Sequence, residues 1–299
     1  MKKKCLLLLS LLLIGCANKD ITKEIKIICP TGAPALAFYN YALNDSFETN
    51  SVPDNITSLM TNKSPYTVAV IDTVSGMELI RNGAPYKIAA NITFGNYYIV
   101  QTGNDDDRIM NLGDTVLLFG KNKTPDYLFK YLYPELYSSV RWVDSVTNIK
   151  EELLNPTVPF DYAFIAEPAM STINKANIVE YKNIQSEFNN KSGLDLVQAS
   201  IFIKNNLDEE IAKEFLLTIK NNISSCLLDP TLIANGLDQL SNPTSIASIY
   251  GVSSAIAKKL IQNNNRVGLG YKDAIENKTA IDNLLTIFGK ETSNEKDYF

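Results

Sequence analysis

The 299-residue chain contains no histidine. Histidine is the usual general base near neutral pH and a frequent metal ligand. Its absence excludes a Ser-His-Asp hydrolase, a Cys-His protease and a His-ligated zinc site. No pair of cysteines has zinc-ligand spacing, and no acidic loop matches an EF-hand. The sequence therefore predicts no metal, no cofactor and no catalytic residue.

Arginine is scarce as well, with four in the chain: Arg81, Arg108, Arg141 and Arg266. Anionic ligands are commonly held by the two-pronged guanidinium group. None of the four lies in a loop where we expect a ligand. This favours a neutral or cationic ligand, or one held by backbone N–H groups and by Lys121 or Lys123.

The chain has few cysteines, and two of the four lie in the N-terminal leader. A disulfide between the other two, Cys29 and Cys226, is possible in an exported protein. However, Cys29 ends the apolar run Ile25–Cys29, which is typical of a buried strand. We therefore expect two separate buried thiols.

The N-terminus begins with three lysines and continues into a short apolar stretch that ends at Leu13-Ile14-Gly15-Cys16. This pattern predicts a signal peptide over residues 1–15, because the apolar stretch is too short to span a bilayer. Its end resembles the lipobox of bacterial lipoproteins, which implies that Cys16 is acylated, for example with palmitate. Several acyl chains hold a protein stably to a membrane. An ordinary signal peptide that happens to contain Cys16 is the alternative.

Removal of residues 1–15 leaves 25 basic and 33 acidic residues, a net charge of −8. Such an acidic body disfavours nucleic acid as a partner, since phosphate binding needs basic patches. The remaining length suffices for two domains.

Strands and helices alternate along the chain, which predicts an α/β fold with largely parallel sheets. We expect a lipidated tether over residues 16–24. The first lobe is predicted over residues 25–110 and 200–299, and the second over residues 111–199. Among the elements are predicted helices over Pro34–Leu43 and Tyr271–Phe288.

Five loops follow predicted strands, at the sheet edge where α/β proteins collect ligands. In the first, Pro30–Pro34, Gly32 allows a tight turn before a helix N-terminus, which can bind acceptor-rich ligands. The others are residues 71–73, 91–93, 120–124 and 166–168. Each loop alone could be no more than a helix cap.

Three of these features together resemble the solute-binding lipoproteins of ABC importers. They are the Pro-Thr-Gly-Ala-Pro loop at Pro30–Pro34, the second α/β block inserted midway, and the strand that ends in Glu167-Pro168. The nitrate/sulfonate/thiamine-precursor branch is the most similar, over roughly residues 25–290. The resemblance implies a type II periplasmic-binding-protein fold, with two lobes and a cleft that closes like a hinge.

Ligand contacts are expected from both lobes of such a fold. The candidate residues are Thr31, Gly32, Ala33, Asp72, Thr73, Asn91, Thr93, Tyr97, Gly120, Asn122, Thr124 and Glu167. Tyr97 or Tyr98 could stack on a planar heterocycle, but at most one faces the cleft, since neighbouring strand residues point to opposite faces. Both could also be core or surface aromatics. Likewise, Asp72 and Glu167 could bind a ring nitrogen or an amine, or could act as plain helix caps.

The leading hypothesis is a monomeric, membrane-anchored capture protein on the extracytoplasmic face, which delivers a small molecule to an ABC permease. A surface adhesin or sensor that reuses the same fold is the alternative. An exported enzyme that does without histidine would need a Ser-Lys or carboxylate pair, for which no motif is found.

Overall fold

The computed structural model describes residues 24–103, 109–173 and 178–299. The predicted signal peptide and the lipidation site at Cys16 lie outside these residues, as does the tether apart from Glu24. The described residues form two sheets with helices packed around them. This confirms the predicted α/β fold with two lobes.

The first sheet has six strands in the order β11-β4-β10-β3-β1-β2. They are β1 (Ile27–Pro30), β2 (Phe47–Asn50), β3 (Val68–Asp72), β4 (Tyr86–Thr93), β10 (Ala199–Lys204) and β11 (Leu269–Asp273). Strand β1 is parallel to both β2 and β3. Strand β10 is antiparallel to β3 and β4, and β11 is antiparallel to β4. The sheet is therefore mixed, and the prediction of largely parallel sheets was wrong, because antiparallel pairing of β10 and β11 involves strands distant in sequence.

The second sheet has five strands in the order β7-β6-β8-β5-β9. They are β5 (Tyr97–Thr102), β6 (Val116–Leu118), β7 (Val140–Trp142), β8 (Tyr162–Ala166) and β9 (Ile178–Asn183). Strand β6 is parallel to β7 and β8, whereas β5 is antiparallel to β8 and β9.

Ten α-helices occur in the described residues. They are α1 (Pro53–Leu59), α2 (Thr73–Arg81), α3 (Thr124–Leu132), α4 (Val146–Leu154), α5 (Ile184–Ser192), α6 (Glu209–Leu228), α7 (Thr231–Asp238), α8 (Pro243–Tyr250), α9 (Ser254–Gln262) and α10 (Lys278–Ile287). Helices α3, α4 and α5 belong to the part of the chain that forms the second sheet. In that described part, the chain enters the second sheet through residues 94–96 and returns to the first through residues 193–198.

Strand β5 lies in a different sheet from the one expected. The sequence placed it in the first lobe, before residue 111, whereas its hydrogen bonds join it to β8 and β9 of the second sheet. Its residues are almost all buried. A strand that is buried on both faces looks the same whichever sheet it enters, so its pattern could not reveal its partners.

Two predicted helices differ from the structure. The segment Ala33–Tyr41 is a 3₁₀ helix rather than an α-helix, and Phe38 interrupts it with φ −110° and ψ 25°. The predicted helix over residues 271–288 begins instead as strand β11, which pairs with β4, and only α10 is helical. Local apolar spacing did not separate this short edge strand from the helix that follows it.

Cys29 and Cys226 are buried free thiols. This confirms the expectation of two separate thiols. Burial raises the pKa of the Cys29 thiol well above its usual value and that of Cys226 to about 12, so both stay protonated. Among the described helices, none combines the length and apolarity needed to cross a bilayer.

Candidate functional site

A cavity of about 330 Å³ lies between the two lobes, at the strand ends that carry the predicted loops. Six of the predicted residues line it: Thr31, Gly32, Ala33, Asp72, Tyr97 and Glu167. The other six predicted residues are not in its lining. They are Thr73, Asn91, Thr93, Gly120, Asn122 and Thr124.

A larger surface pocket of about 950 Å³ lies on the first lobe beside helix α6. The charged groups in it pair with one another, as in Lys220 with Asp273 and Lys213 with Glu209. We therefore regard the interlobe cavity, which both lobes line, as the candidate site.

The loop after strand β1 forms one wall of the cavity. Gly32 has a φ of +112°, which L-residues rarely adopt, so the turn at the start of the 3₁₀ segment requires glycine. A Cβ atom at this position would lie 3.6 Å from Pro168 Cδ of the second lobe. The loop thus faces the second lobe directly, at van der Waals distance.

Asp72 lies at the end of β3 and connects the two lobes. One carboxylate oxygen accepts hydrogen bonds from the backbone N–H and the hydroxyl of Ser75, at 2.9 and 3.0 Å, and so caps helix α2. The other accepts from the Thr124 hydroxyl of the second lobe, at 2.5 Å. Burial raises the pKa of Asp72, and these hydrogen bonds oppose the increase.

Thr73 directly follows strand β3 as the first residue of helix α2, and Asn91 and Thr93 lie in strand β4; other groups of the protein satisfy all three. The Thr73 hydroxyl is 2.6 Å from the Ser200 hydroxyl, which also accepts a hydrogen bond from Asn91 Nδ2 at 2.8 Å. Thr93 Oγ1 accepts from the backbone N–H of Ala199 at 3.1 Å. These polar groups join strands β3, β4 and β10 to one another.

The predicted Gly120–Thr124 loop contributes to contacts between the lobes rather than to the cavity lining. Asn122 adopts a φ of +61°, and its N–H donates to Asp126 at 2.7 Å. Phe119 and the first turn of helix α4, with Thr147 and Lys150, line the cavity from the second lobe instead. The sequence contained a signal for this wall, since α4 follows β7 and Ser145 caps it.

Glu167 is buried, and protein groups pair both of its carboxylate oxygens. Ser171 donates to them through its N–H and its hydroxyl, each at 3.0 Å. Arg266 Nε donates to Oε1 at 2.9 Å, and Arg266 also pairs with Glu180 at 2.8 Å. The Glu167 carboxylate is therefore neutralised within the protein.

Tyr97 and Tyr98 lie on opposite faces of β5, as the alternation of strand residues requires. Tyr97 lines the cavity and packs against Phe164 and Phe119, with ring centroids 5.3 and 6.3 Å apart. Tyr98 lies beneath the Arg266 guanidinium, 4.3 Å from the ring centroid. Burial raises the pKa of Tyr97 and the negative charge of Asp72 adds to the effect, while a hydrogen bond with the Gln198 side chain opposes it. Tyr97 is therefore a neutral phenol.

The sequence analysis missed two polar residues of the lining, Asn96 and Gln198. Both are buried. Gln198 Nε2 donates to Asn96 Oδ1 at 2.7 Å, and Asn96 Nδ2 donates to the backbone oxygen of Glu167 at 2.5 Å. They lie in the two segments that join the lobes.

No protein-family model and no curated protein sequence matches this chain. Among solved structures, the chain is similar to an ABC transporter protein from Parabacteroides distasonis, with a TM-score of 0.74, 17% identity and coverage of 92% of this chain and 98% of the other. The ligand-binding component of an ABC-type import system from Staphylococcus aureus gives 0.68 and 12%, with coverage of 92% and 95%. The periplasmic aliphatic sulphonate binding protein SsuA from Escherichia coli gives 0.64 and 9%, with 92% of each chain covered.

The chain has the periplasmic binding protein fold. A periplasmic binding protein fold accounts for both sheets, the two connections between them and the cavity that they enclose. Among the residues that the structure describes, no group of three or more Cys, Asp or Glu could hold a metal ion.

Proposed function

We propose that this chain is the substrate-capturing protein of an ABC importer and has no catalytic role. Lipidated Cys16 would anchor it to the extracytoplasmic face of the membrane. The cavity carries the proposal, because both lobes line it and a small molecule bound there would hold them together. Thr31, Gly32, Ala33, Asp72 and Tyr97 are proposed as ligand contacts. For Glu167, which Arg266 neutralises, we propose a structural role in the wall.

Contacts around the cavity support closure of the lobes on a ligand. Asp72 accepts a hydrogen bond from Thr124, and Lys123 pairs with Asp54, so both contacts cross from the second lobe to the first. Such contacts can form and break as lobes move. The ligand would add its own contacts to both sides and shift the population toward the closed form.

The test uses the full-length chain purified in detergent. Mass spectrometry of the denatured protein identifies any co-purified molecule, which is then added back to ligand-free protein. We expect it to raise the melting temperature by mass action and to lower the radius of gyration in solution scattering. Thr147→Trp, which fills the cavity, should abolish both responses. Thr218→Trp, on the exposed face of helix α6, is the matched control and should keep them.

If no member of a broad metabolite screen produces either response, the adhesin or sensor alternative is favoured. In that case Thr147→Trp and Thr218→Trp would behave alike.

Membrane attachment has its own test at Cys16. The lipobox-like end of the leader motivates it, since acylation needs the cysteine thiol. Cys16→Ala should release the protein from the membrane fraction or block its processing. Unchanged fractionation together with unchanged processing would contradict the anchor and leave the binding function standing.

A further inference from the structure

The neighbouring groups allow only one orientation of the Gln198 side-chain amide. The backbone oxygen of Glu167 can only accept, so Asn96 must turn its Nδ2 toward it, at 2.5 Å. Asn96 Oδ1 then faces Gln198, which must present Nε2 as the donor, at 2.7 Å. This chain of two hydrogen bonds leaves Gln198 Oε1 as the free end of the amide.

Gln198 Oε1 is buried and accepts no hydrogen bond from any residue that the structure describes. The residue as a whole is 8% exposed, and it lines the interlobe cavity. A buried carbonyl oxygen without a donor is costly, and native proteins rarely retain one without a reason. A hydrogen-bond donor from a bound molecule would remove this cost.

Asp72 brings a second acceptor to the same side of the cavity. Its neighbour Thr73 donates its backbone N–H to the backbone oxygen of Gln198 at 2.9 Å, and Asp72 pairs with Ala199 across strands β3 and β10. Three donor groups already contact the Asp72 carboxylate, which when ionised offers about four acceptor sites. One site therefore remains for a ligand.

We propose that the cavity selects a ligand with a nitrogen group that donates hydrogen bonds, and that Gln198 Oε1 is its acceptor. This inference rests on the proposed function and names the ligand class. A primary amine or primary amide nitrogen carries two or more hydrogens and can serve Gln198 and Asp72 together, whereas a hydroxyl carries one. The negative charge of Asp72 favours an amine further, and the Tyr97 ring supplies an apolar surface beside it.

The test uses matched probe pairs that differ in one donor group: taurine with ethanesulfonate, 4-aminopyrimidine with pyrimidine, and 1-methyluracil with 1,3-dimethyluracil. Isothermal titration on the full-length chain in detergent measures each affinity. Within any pair that binds, we expect the N–H member to bind at least ~10-fold more tightly, as one lost hydrogen bond to a buried group implies. This comparison needs no mutation.

Gln198→Met then removes the acceptor and keeps the length of the side chain. We expect it to reduce the preference within a pair, because Asp72 is then the only one of the two acceptors left. Thr172→Val is the control, because Thr172 also lines the cavity but already donates its hydroxyl to the Ala169 oxygen at 2.7 Å. It should keep the preference. Circular dichroism confirms the fold of both variants.

Equal affinity within the pairs, or a preference that is as large in Gln198→Met as in the wild type, would overturn the inference while leaving a binding protein. Binding of the donor-free members alone would overturn it as well. Failure of all six probes, combined with no difference between Thr147→Trp and Thr218→Trp, would count against the proposed function itself.

Discussion

Asn96 lies between two buried polar regions of the protein. The regions differ in whether their polar atoms have hydrogen-bond partners. On one side, the Glu167 cluster consists of Glu167, Ser171 and Arg266, and protein donors satisfy both oxygens of its carboxylate. On the other side, Gln198 donates a hydrogen bond from Nε2 to Asn96, and its Oε1 accepts none among the described residues. Glu167 and Gln198 line the same cavity.

The comparison distinguishes a structural polar group from a ligand-binding one. A buried charge that the protein itself neutralises gains little from a ligand, and losing its partner is costly. A buried acceptor left open gains most from a ligand that donates to it. Position in the cavity wall is thus not sufficient to identify a ligand contact, since Glu167 and Gln198 both lie there and the protein satisfies the one and not the other.

The largest effect on stability is expected when Arg266, the cation of the Glu167 cluster, is replaced. Arg266→Met leaves the buried Glu167 carboxylate without its ion pair, so we expect a loss of about 3 kcal/mol in the free energy of unfolding. Urea denaturation at pH 7 measures it. The matched control is Arg141→Met, which removes an Arg–Glu pair of similar length from a more exposed partner, Glu152, and should cost much less stability.

A second variant shows whether the uncompensated charge is the cause. Adding Glu167→Gln to Arg266→Met removes that charge, so much of the lost stability should return. Equal losses for Arg266→Met and Arg141→Met, or no recovery in the double variant, would mean that the Glu167 cluster is no different from a surface ion pair.

How far each region could be predicted depends on the sequence separation of its contacts. The capping of α2 by Asp72 is local, since the N–H it accepts belongs to Ser75, and the sequence predicted it. Gln198 and Asn96 are 102 residues apart, and Glu167 and Arg266 are 99 apart. No local pattern encodes such pairings, so the open amide and the neutralised carboxylate were both missed.

Sequence separation also limits how much of the fold could be predicted. Alternating elements predicted two α/β lobes, because hydrophobic periodicity is a local property. Strand β5 belongs to the second sheet because it pairs with residues 162–166 and 178–183. The residues of β5 itself do not specify these partners. The cavity wall at helix α4 likewise depends on how the two lobes meet.

A smaller effect is expected at the ion pair between Lys123 and Asp54, which links the lobes near Asp72. Both side chains are partly exposed, so the pair should contribute under about 1 kcal/mol. Lys123→Met should loosen closure and raise the radius of gyration of the ligand-free protein slightly in solution scattering. Lys213→Met, whose partner Glu209 lies on the same helix, should not change it. An equal change in both variants would argue that neither pair controls the lobes.

The smallest effect concerns the protonation of Asp72. Burial raises its pKa above the usual 3.8, although Thr124, Ser75 and Lys123 oppose the increase. The folded protein therefore holds this proton to higher pH than the unfolded chain does. The free energy of unfolding should then fall as pH rises from about 3.8 through the raised pKa.

Asp72→Asn isolates this dependence, because asparagine keeps the helix cap and cannot titrate. Urea denaturation between pH 4 and pH 7 should show wild type losing stability relative to Asp72→Asn as the pH increases. The decline should be steeper in a Lys123→Met background, where the cation that favours the ionised carboxylate is gone. A difference that grows in favour of wild type would show that the hydrogen bonds to the carboxylate outweigh its burial. Asp72 would then belong with Glu167 as a group that the protein itself satisfies, and Gln198 would be left as the open acceptor for the ligand.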